Sequence, residues 1–165
     1  ARELGIPLAT LEEAGTLDIT IDGADEVDAN LDLVKGMGGA LLREKIVAYS
    51  TRMEVIVVDD SKIVSKLGTK FPLPVEVVPF SHGRTKTFME ELGCRAELRG
   101  GDVPFITDNG NYIYHLHFER GIKDPVELQK RLKDIPGVVE TGLFLNMAKK
   151  VIVASDSGIR VMERV

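Results

Sequence analysis

The sequence is short of cysteine, of basic charge and of long apolar runs, and each shortage excludes a class of protein. Cys94 is the single cysteine, so the sequence holds neither a disulfide framework nor a multi-cysteine metal site. No segment reaches the roughly 20 apolar residues that cross a bilayer, and no secretory apolar region opens the sequence. The formal net charge of −5 disfavours nucleic acid and anionic membranes as partners. We expect a cytoplasmic protein that binds neither.

The length and the hydrophobic content are those of a folded protein of moderate size. Its 165 residues, 44% of them hydrophobic, are enough for one domain or for a medium domain with a small companion. The sequence begins with Ala1, and residues 1–5 have the composition of a helix end closed by Gly5. We therefore expect a further segment upstream of Ala1.

Strand patterns on either side of a helical pattern predict an α/β fold. Residues 17–22 alternate apolar and polar side chains, as a strand does. Residues 54–59 form the near-continuous apolar run that is typical of a strand buried in a parallel sheet. Between them, residues 40–49 have helical periodicity. A further buried strand at 150–154 and a last helix at 157–163 are expected to return to the same sheet.

Two prolines within residues 71–74 mark a boundary, because proline stiffens the chain and ends helices. From residue 75 to residue 144 the predicted order is strand, helix, strand, strand, helix, strand, which is the ferredoxin-like βαββαβ arrangement. We predict a Rossmann-like parallel-sheet domain formed by residues 1–70 plus 148–165. Residues 71–147 are predicted to form an inserted ferredoxin-like α+β small domain.

The candidate chemistry lies just after the predicted strands. In such sheets ligands bind beyond the carboxyl ends of the strands, and Asp22, Lys35 and Lys62 each lie at or past such an end. We expect these three residues to converge. Residues 36–39 are rich in glycine and precede a helix, which would suit an anion held by backbone N–H groups. They match neither the dinucleotide fingerprint nor the P-loop, so a plain tight turn is the alternative.

Glu44 is the strongest single candidate for a catalytic group. On the predicted helix it falls between Ala40, Val47 and Ala48, and a carboxylate among small apolar side chains costs free energy unless it is paired or functional. A carboxylate in that position near a helix N-terminus is suited to abstract and return a proton. The alternative is an ordinary ion pair with a neighbouring lysine, either Lys35 or Lys45.

The acidic and histidine residues do not predict a metal site. The acidic run lacks the spacing of a calcium loop, and we expect three of its members to be solvated loop residues, namely Glu26, Asp28 and Asp32. His115 and His117 share one face of a predicted strand, but no third ligand accompanies them.

Taken together in order, the motifs resemble ribose-5-phosphate isomerase, type A. The resemblance rests on Asp22-Gly23-Ala24-Asp25-Glu26, on Lys35-Gly36-Met37-Gly38, and on residues 42–46, 60–62, 70–77, 107–111 and 135–144. These segments span nearly the whole chain, which makes the combined signal strong where each motif alone is weak.

The resemblance implies interconversion of D-ribose 5-phosphate and D-ribulose 5-phosphate through an enediolate, in the non-oxidative branch of the pentose phosphate pathway. It also implies no metal or organic cofactor and a homodimer or homotetramer in the cytoplasm. By position, Glu44 resembles the proton-transfer base. The substrate-binding residues that the resemblance implies are Asp22, Gly23, Ala24, Asp25, Lys35, Gly36, Met37, Gly38 and, at the phosphate end, Lys62.

The sequence departs from the family at two points. Met37 stands where glycine or another residue is expected in the loop, although its backbone N–H is retained. The family's Gly/Ser/Thr-rich phosphate loop has no match and is expected upstream of Ala1. The alternative hypothesis is a non-catalytic sugar-phosphate-sensing domain of a regulator with a similar fold. A sensor would keep the binding lysines but would not need the carboxylate of Glu44. A third option is chemistry of the glucosamine-phosphate deaminase type, but the motifs of those enzymes are not seen in this sequence.

Overall fold

A four-stranded sheet built on parallel pairs supports the first part of the chain. In this computed structural model, which describes residues 1–164, its strands are β1 (Leu17–Asp22), β4 (Thr51–Asp59), β10 (Ala148–Ser155) and β11 (Gly158–Glu163). They lie in the order β1-β4-β10-β11, and both β1 and β10 run parallel to β4. The predicted α/β class with a parallel sheet is confirmed.

The last element is a strand, so the prediction of a helix at residues 157–163 is wrong. The chain turns after Ser155, whose hydroxyl donates to the carbonyl oxygen of Gly158, and Gly158 has a φ of +122°. β11 then returns antiparallel to β10. Ile159 and Val161 alternate with polar or longer side chains, and β-branched residues at a period of two favour a strand. Pairing with β10 decides the conformation of this segment.

One helix and a small sheet lie between β1 and β4. After a short helix α1 (Leu11–Ala14) and β1, the chain forms β2 (Glu26–Val27) and β3 (Leu33–Val34), which pair with the later β9 (Leu143–Phe144). α2 (Leu41–Tyr49) then leads into β4. Ala48 of α2, Ile56 of β4 and Phe144 of β9 pack in one buried cluster, so α2 lies over the face of the parallel sheet that carries Ile56.

The middle of the chain forms the predicted βαββαβ unit. Its elements are β5 (Leu73–Val77), α3 (His82–Glu90), β6 (Arg95–Leu98), β7 (Tyr112–His117), α4 (Pro125–Lys133) and β8 (Val138–Thr141). The four strands lie in the antiparallel order β6-β7-β5-β8. Asp124 caps α4 by accepting the N–H of Glu127, as its position before Pro125 predicts. The ferredoxin-like arrangement is confirmed.

Gly142 joins this unit to the rest of the chain. The predicted strand at 138–144 is two strands, because the chain leaves the β5–β8 sheet at Gly142 and pairs with β3 through β9. The N–H of Gly142 donates to the Pro74 carbonyl at 2.7 Å, and its carbonyl accepts the N–H of Lys35 at 2.9 Å. A Cβ at position 142 would lie 2.3 Å from the Lys35 carbonyl oxygen. The domain division at residues 70/71 and 147/148 stays a prediction.

None of the helices described within residues 1–164 is long and apolar enough to cross a membrane.

Glu26 is fully buried, so its expected role as a solvated loop residue is wrong. Its carboxylate accepts the backbone N–H groups of Gly68 at 2.5 Å, Lys70 at 2.6 Å and Phe71 at 2.9 Å. These donors lie more than 40 residues further along the chain. The carboxylate therefore fixes the loop that leads into β5.

Asp28 and Asp32 are not solvated either. Asp28 accepts the backbone N–H groups of Asn30 and Asp32, which closes a local turn. Asp32 forms a 3.0 Å ion pair with Arg164, and its side chain is only 13% exposed. Both carboxylates serve the fold.

Glu26→Ala tests the role of Glu26 in stability. The substitution removes the acceptor of three backbone donors, of which that of Gly68 is buried and those of Lys70 and Phe71 are half-buried. A buried donor left unpaired costs about 1–3 kcal/mol, so we expect the free energy of unfolding to fall by at least about 1 kcal/mol. Urea denaturation measures the change. Glu91→Ala, at an exposed residue after α3, is the control. Equal losses in the two variants would contradict this role.

Candidate active site

The buried ammonium group of Lys35 is the centre of the candidate site. Its Nζ lies 3.0 Å from Asp22 Oδ2 and 3.4 Å from Glu44 Oε2, and it donates to the carbonyl oxygen of Gly23. The Lys35 side chain is 4% exposed, and its Nζ lies 5.4 Å from the centroid of the Phe144 ring. Two carboxylates and a carbonyl oxygen surround the ammonium group and are the partners that a buried cation requires. The side chains of three predicted site residues, Asp22, Lys35 and Glu44, thus form one cluster, and the backbone of a fourth, Gly23, contacts it.

Each member of this Lys35 cluster comes from a different element. Asp22 is the last residue of β1, Lys35 directly follows β3, and Glu44 lies in the first turn of α2. The backbone of Lys35 is fixed by Gly142, as described above. The chain therefore positions the two carboxylates and the ammonium group from three directions.

The ion pair proposed as the alternative for Glu44 exists, and its partner is Lys35. Lys45 instead forms a 2.9 Å pair with Glu140 of β8. The Glu44 side chain remains 28% exposed. Ion pairing and reactivity are compatible here, because a carboxylate beside a cation is held in one orientation while part of it stays accessible.

The glycine loop at residues 36–39 is a tight turn with two of its N–H groups in use. Gly36 and Gly39 have φ angles of +107° and +100°, and the Gly39 N–H donates to the Gly36 carbonyl at 2.9 Å. The N–H of Met37 donates to Asp25 Oδ2 at 3.0 Å. Within residues 1–164, the N–H groups of Gly36 and Gly38 have no protein acceptor. These two are the donors that remain for a ligand.

Lys62 does not join the Lys35 cluster by direct contact. It ends a 3₁₀ turn, Asp60–Lys62, directly after β4, and its Nζ lies 4.5 Å from the centroid of the Phe71 ring. Among residues 1–164, no ion pair or hydrogen bond links Lys62 to Asp22, Lys35 or Glu44. Of the three residues expected to converge, Asp22, Lys35 and Lys62, only Asp22 and Lys35 are in contact.

The residues at 107–111 anchor the start of α2, a role that sequence reasoning missed. The buried carboxylate of Glu76 accepts from Thr107 Oγ1 at 3.0 Å and from Asn111 Nδ2 at 2.8 Å. Asn109 in turn accepts from Arg43 Nε at 3.1 Å. Arg43 directly precedes Glu44, so this network holds the helix turn that carries Glu44.

Glu54 is the second residue that sequence reasoning missed. It lies in β4, is 2% exposed, and neither of its carboxyl oxygens has a hydrogen-bond partner within residues 1–164. Burial raises the pKa of Glu54, nearby Asp22 and Glu44 raise it further, and Lys35 lowers it. The sequence holds one signal for the burial of Glu54. It opens an apolar run in which Ile56 and Val58 follow at intervals of two residues, so all three side chains lie on one face of the strand.

Comparisons with known proteins match nearly the whole chain. The family model described as Ribose 5-phosphate isomerase A (phosphoriboisomerase A) matches residues 1–158. The Ribose-5-phosphate isomerase A of Bacillus mycoides is 52% identical over 161 residues, which cover 97% of this chain and 72% of that protein.

Two solved structures have the same fold. Ribose 5-phosphate isomerase from Plasmodium falciparum has a TM-score of 0.93 at 40% identity, covering 98% of this chain and 72% of that one. A D-ribose-5-phosphate isomerase in complex with phospho-erythronic acid has a TM-score of 0.94 at 42% identity, covering 99% of this chain and 72% of that one.

Alanine substitutions at Gly36 and Gly38 form a matched pair for the glycine loop. At Gly36 a Cβ would lie 2.6 Å from the Cβ of Leu41 at a positive φ, and such strain costs about 1–3 kcal/mol. At Gly38 no atom lies within 4 Å of the added Cβ and φ is not positive, so stability should hold or rise by up to about 1 kcal/mol. Thermal unfolding measures both. Equal losses would contradict the loop geometry.

Proposed function

Because the chain belongs to the ribose 5-phosphate isomerase A family, we propose that the Lys35 cluster is its active site and that Glu44 is the base of the reaction. The chain interconverts D-ribose 5-phosphate and D-ribulose 5-phosphate, an aldose–ketose isomerisation of the pentose phosphate pathway. One observation carries the site assignment, namely the contact of a buried Lys35 Nζ with both Asp22 and Glu44. A sugar-phosphate sensor is not favoured, because the matched relatives are named as isomerases.

The isomerisation moves a proton between C2 and C1 of the open-chain sugar. Glu44 takes the proton from C2 of the aldose, an enediolate forms, and the same carboxylate returns the proton to C1. One carboxylate serves both transfers if it lies over both carbons, and the Glu44 side chain is 28% exposed although its Oε2, beside Lys35, is buried. The contact with Lys35 holds the carboxylate in place between the two steps.

Lys35 stabilises the oxyanion that develops during this transfer. Its charge is already buried and oriented, so little reorganisation is needed when negative charge forms on the substrate oxygen. The free N–H groups of Gly36 and Gly38 are the additional donors. Met37 contributes to this loop through its N–H bond to Asp25 rather than to the substrate.

The sugar hydroxyls are assigned to the segment that follows β1. The carboxylates of Asp22 and Asp25 can each accept further hydrogen bonds, and the backbone of Gly23 and Ala24 lies between them. One of the two carboxylates also assists opening of the sugar ring. Lys62 is assigned to the phosphate end, where its contact with Phe71 orients the side chain. A relative of the same fold binds phospho-erythronic acid, a phosphorylated sugar acid, which supports a phosphorylated open-chain ligand.

We further propose, from the family resemblance, a homodimer or homotetramer in the cytoplasm. The proposed steps use only side chains and backbone groups of this chain. The proposed catalytic domain comprises residues 1–70 and 148–165, and the proposed small domain comprises residues 71–147. The two sets of strand pairings described above support this division.

Glu44→Gln tests the base. The amide keeps the size of the side chain but cannot accept the proton, so we expect kcat to fall roughly 10²–10⁴-fold, with KM changed by less than about threefold. Conversion of ribose 5-phosphate to ribulose 5-phosphate is the assay. Glu127→Gln, on the exposed side of α4, is the control. Near-normal turnover in Glu44→Gln would rule out this mechanism.

Lys35→Met tests the proposed oxyanion stabilisation. Methionine keeps much of the length of the side chain and removes the charge, so we expect kcat to fall about 10²–10³-fold, as for loss of one oxyanion donor. Steady-state kinetics measures kcat, and circular dichroism verifies the fold. Lys123→Met, at an exposed lysine, is the matched control. A loss of kcat no larger than that of the control would remove Lys35 from the mechanism.

A further inference from the structure

Glu54 is a buried carboxyl group that the proposed reaction does not use. It is 2% exposed, and neither Oε1 nor Oε2 has a hydrogen-bond partner within residues 1–164. A charged carboxylate without hydrogen bonds is costly to bury, whereas a neutral carboxylic acid is tolerated far better. Its surroundings therefore favour the protonated form.

The side chain of Glu54 lies beneath the Lys35 cluster. Glu54 pairs in register with Thr20 of β1, and two residues further along the strands Ile56 pairs with Asp22. Residues two apart in a strand share a face, so Glu54 and Asp22 lie on the same face of the sheet. This is the face that α2 covers, where Ala48 packs with Ile56.

Three charged residues act on Glu54 electrostatically, namely Asp22 at the end of β1, Glu44 of α2 and Lys35, which follows β3. The fourth element, β10, presents the uncharged Ala148 at the paired position. With Glu54 neutral, the three charged groups sum to one negative charge. An ionised Glu54 would add a second negative charge, and this one would lie at a fully buried position.

We propose that Glu54 is a neutral acid in the active state of the site, so that the Lys35 ammonium group pairs with Asp22 and Glu44 alone. This inference rests on the proposed function of the Lys35 cluster. If Glu54 loses its proton to solvent, its carboxylate competes for Lys35 and offsets the positive charge that stabilises the enediolate. Turnover should therefore fall as the pH rises through the ionisation of Glu54, with a smaller effect on KM.

The pH profile of kcat is the first test. Glu54→Gln mimics the neutral acid and cannot ionise, so at a pH where Glu54 of the wild type is protonated its kcat should stay within about threefold of the wild-type value. The fall of kcat that accompanies the ionisation of Glu54 in the wild type should be absent from the profile of Glu54→Gln. Glu163→Gln removes a carboxylate from β11 of the same sheet and should leave the profile unchanged. A profile of Glu54→Gln with the same shape as that of the wild type, or a loss above about 100-fold at every pH, would overturn the proposal.

The pH dependence of stability is the second test and needs no enzyme activity. Because burial raises the pKa of Glu54 in the folded state above its ordinary 4.5, the wild type should lose stability with rising pH relative to Glu54→Gln. The difference in Tm should be constant below pH 4.5, grow above it, and level off once Glu54 is ionised in the folded protein. A difference in Tm that does not vary with pH would overturn the proposal.

Glu54→Met separates folding from ionisation. Because its apolar side chain has a similar volume, the variant should fold, and its pH profile should change in the same way as that of Glu54→Gln. If neither variant folds, the carboxylate itself is required for the fold and the proposal is overturned. If the wild type does not isomerise ribose 5-phosphate while the Tm difference varies with pH as expected, the proposed function fails and the neutral state of Glu54 stands.

Discussion

The arrangement of the site depends on one buried ammonium group. Lys35 contacts the end of β1 through Asp22 and Gly23, and it contacts α2 through Glu44. The Lys35 side chain is buried while Asp22 and Glu44 stay partly exposed, so these ion pairs are screened less than a pair between two exposed side chains. Without that charge, two carboxylates would face each other across the site.

Buried carboxylates elsewhere in the chain perform a similar organising task without a cation. The carboxylate of Glu26 accepts three backbone N–H groups from the loop that precedes β5. The carboxylate of Glu76 accepts hydrogen bonds from side chains within residues 107–111. In both cases the carboxylate lies on a strand and its donors lie on a loop. Rigid strands thereby fix the loops that border the site, while Glu54 differs because it has no donor at all within residues 1–164.

The parts of this structure that could be predicted are those set by local chemistry. The alternation in β1, the cap of α4 at Asp124 and the neighbourhood of Glu44 follow from residues close in sequence. The errors concern long-range partners. Residues 157–163 are a strand because β10 is there to pair with them, and Glu26 is buried because its donors lie more than 40 residues away. Glu54 was missed because an apolar run conceals which face each residue presents.

Gly142 links the β6-β7-β5-β8 sheet to the backbone of Lys35. It hydrogen-bonds at once to Pro74 in β5 and to the backbone of Lys35, and the approach is too close for any side chain at that position. The spacing between β5 and the backbone of Lys35 is therefore set by a single residue that has no Cβ. Any larger residue at position 142 would have to push Pro74 and Lys35 apart, and would so move the lysine at the centre of the site.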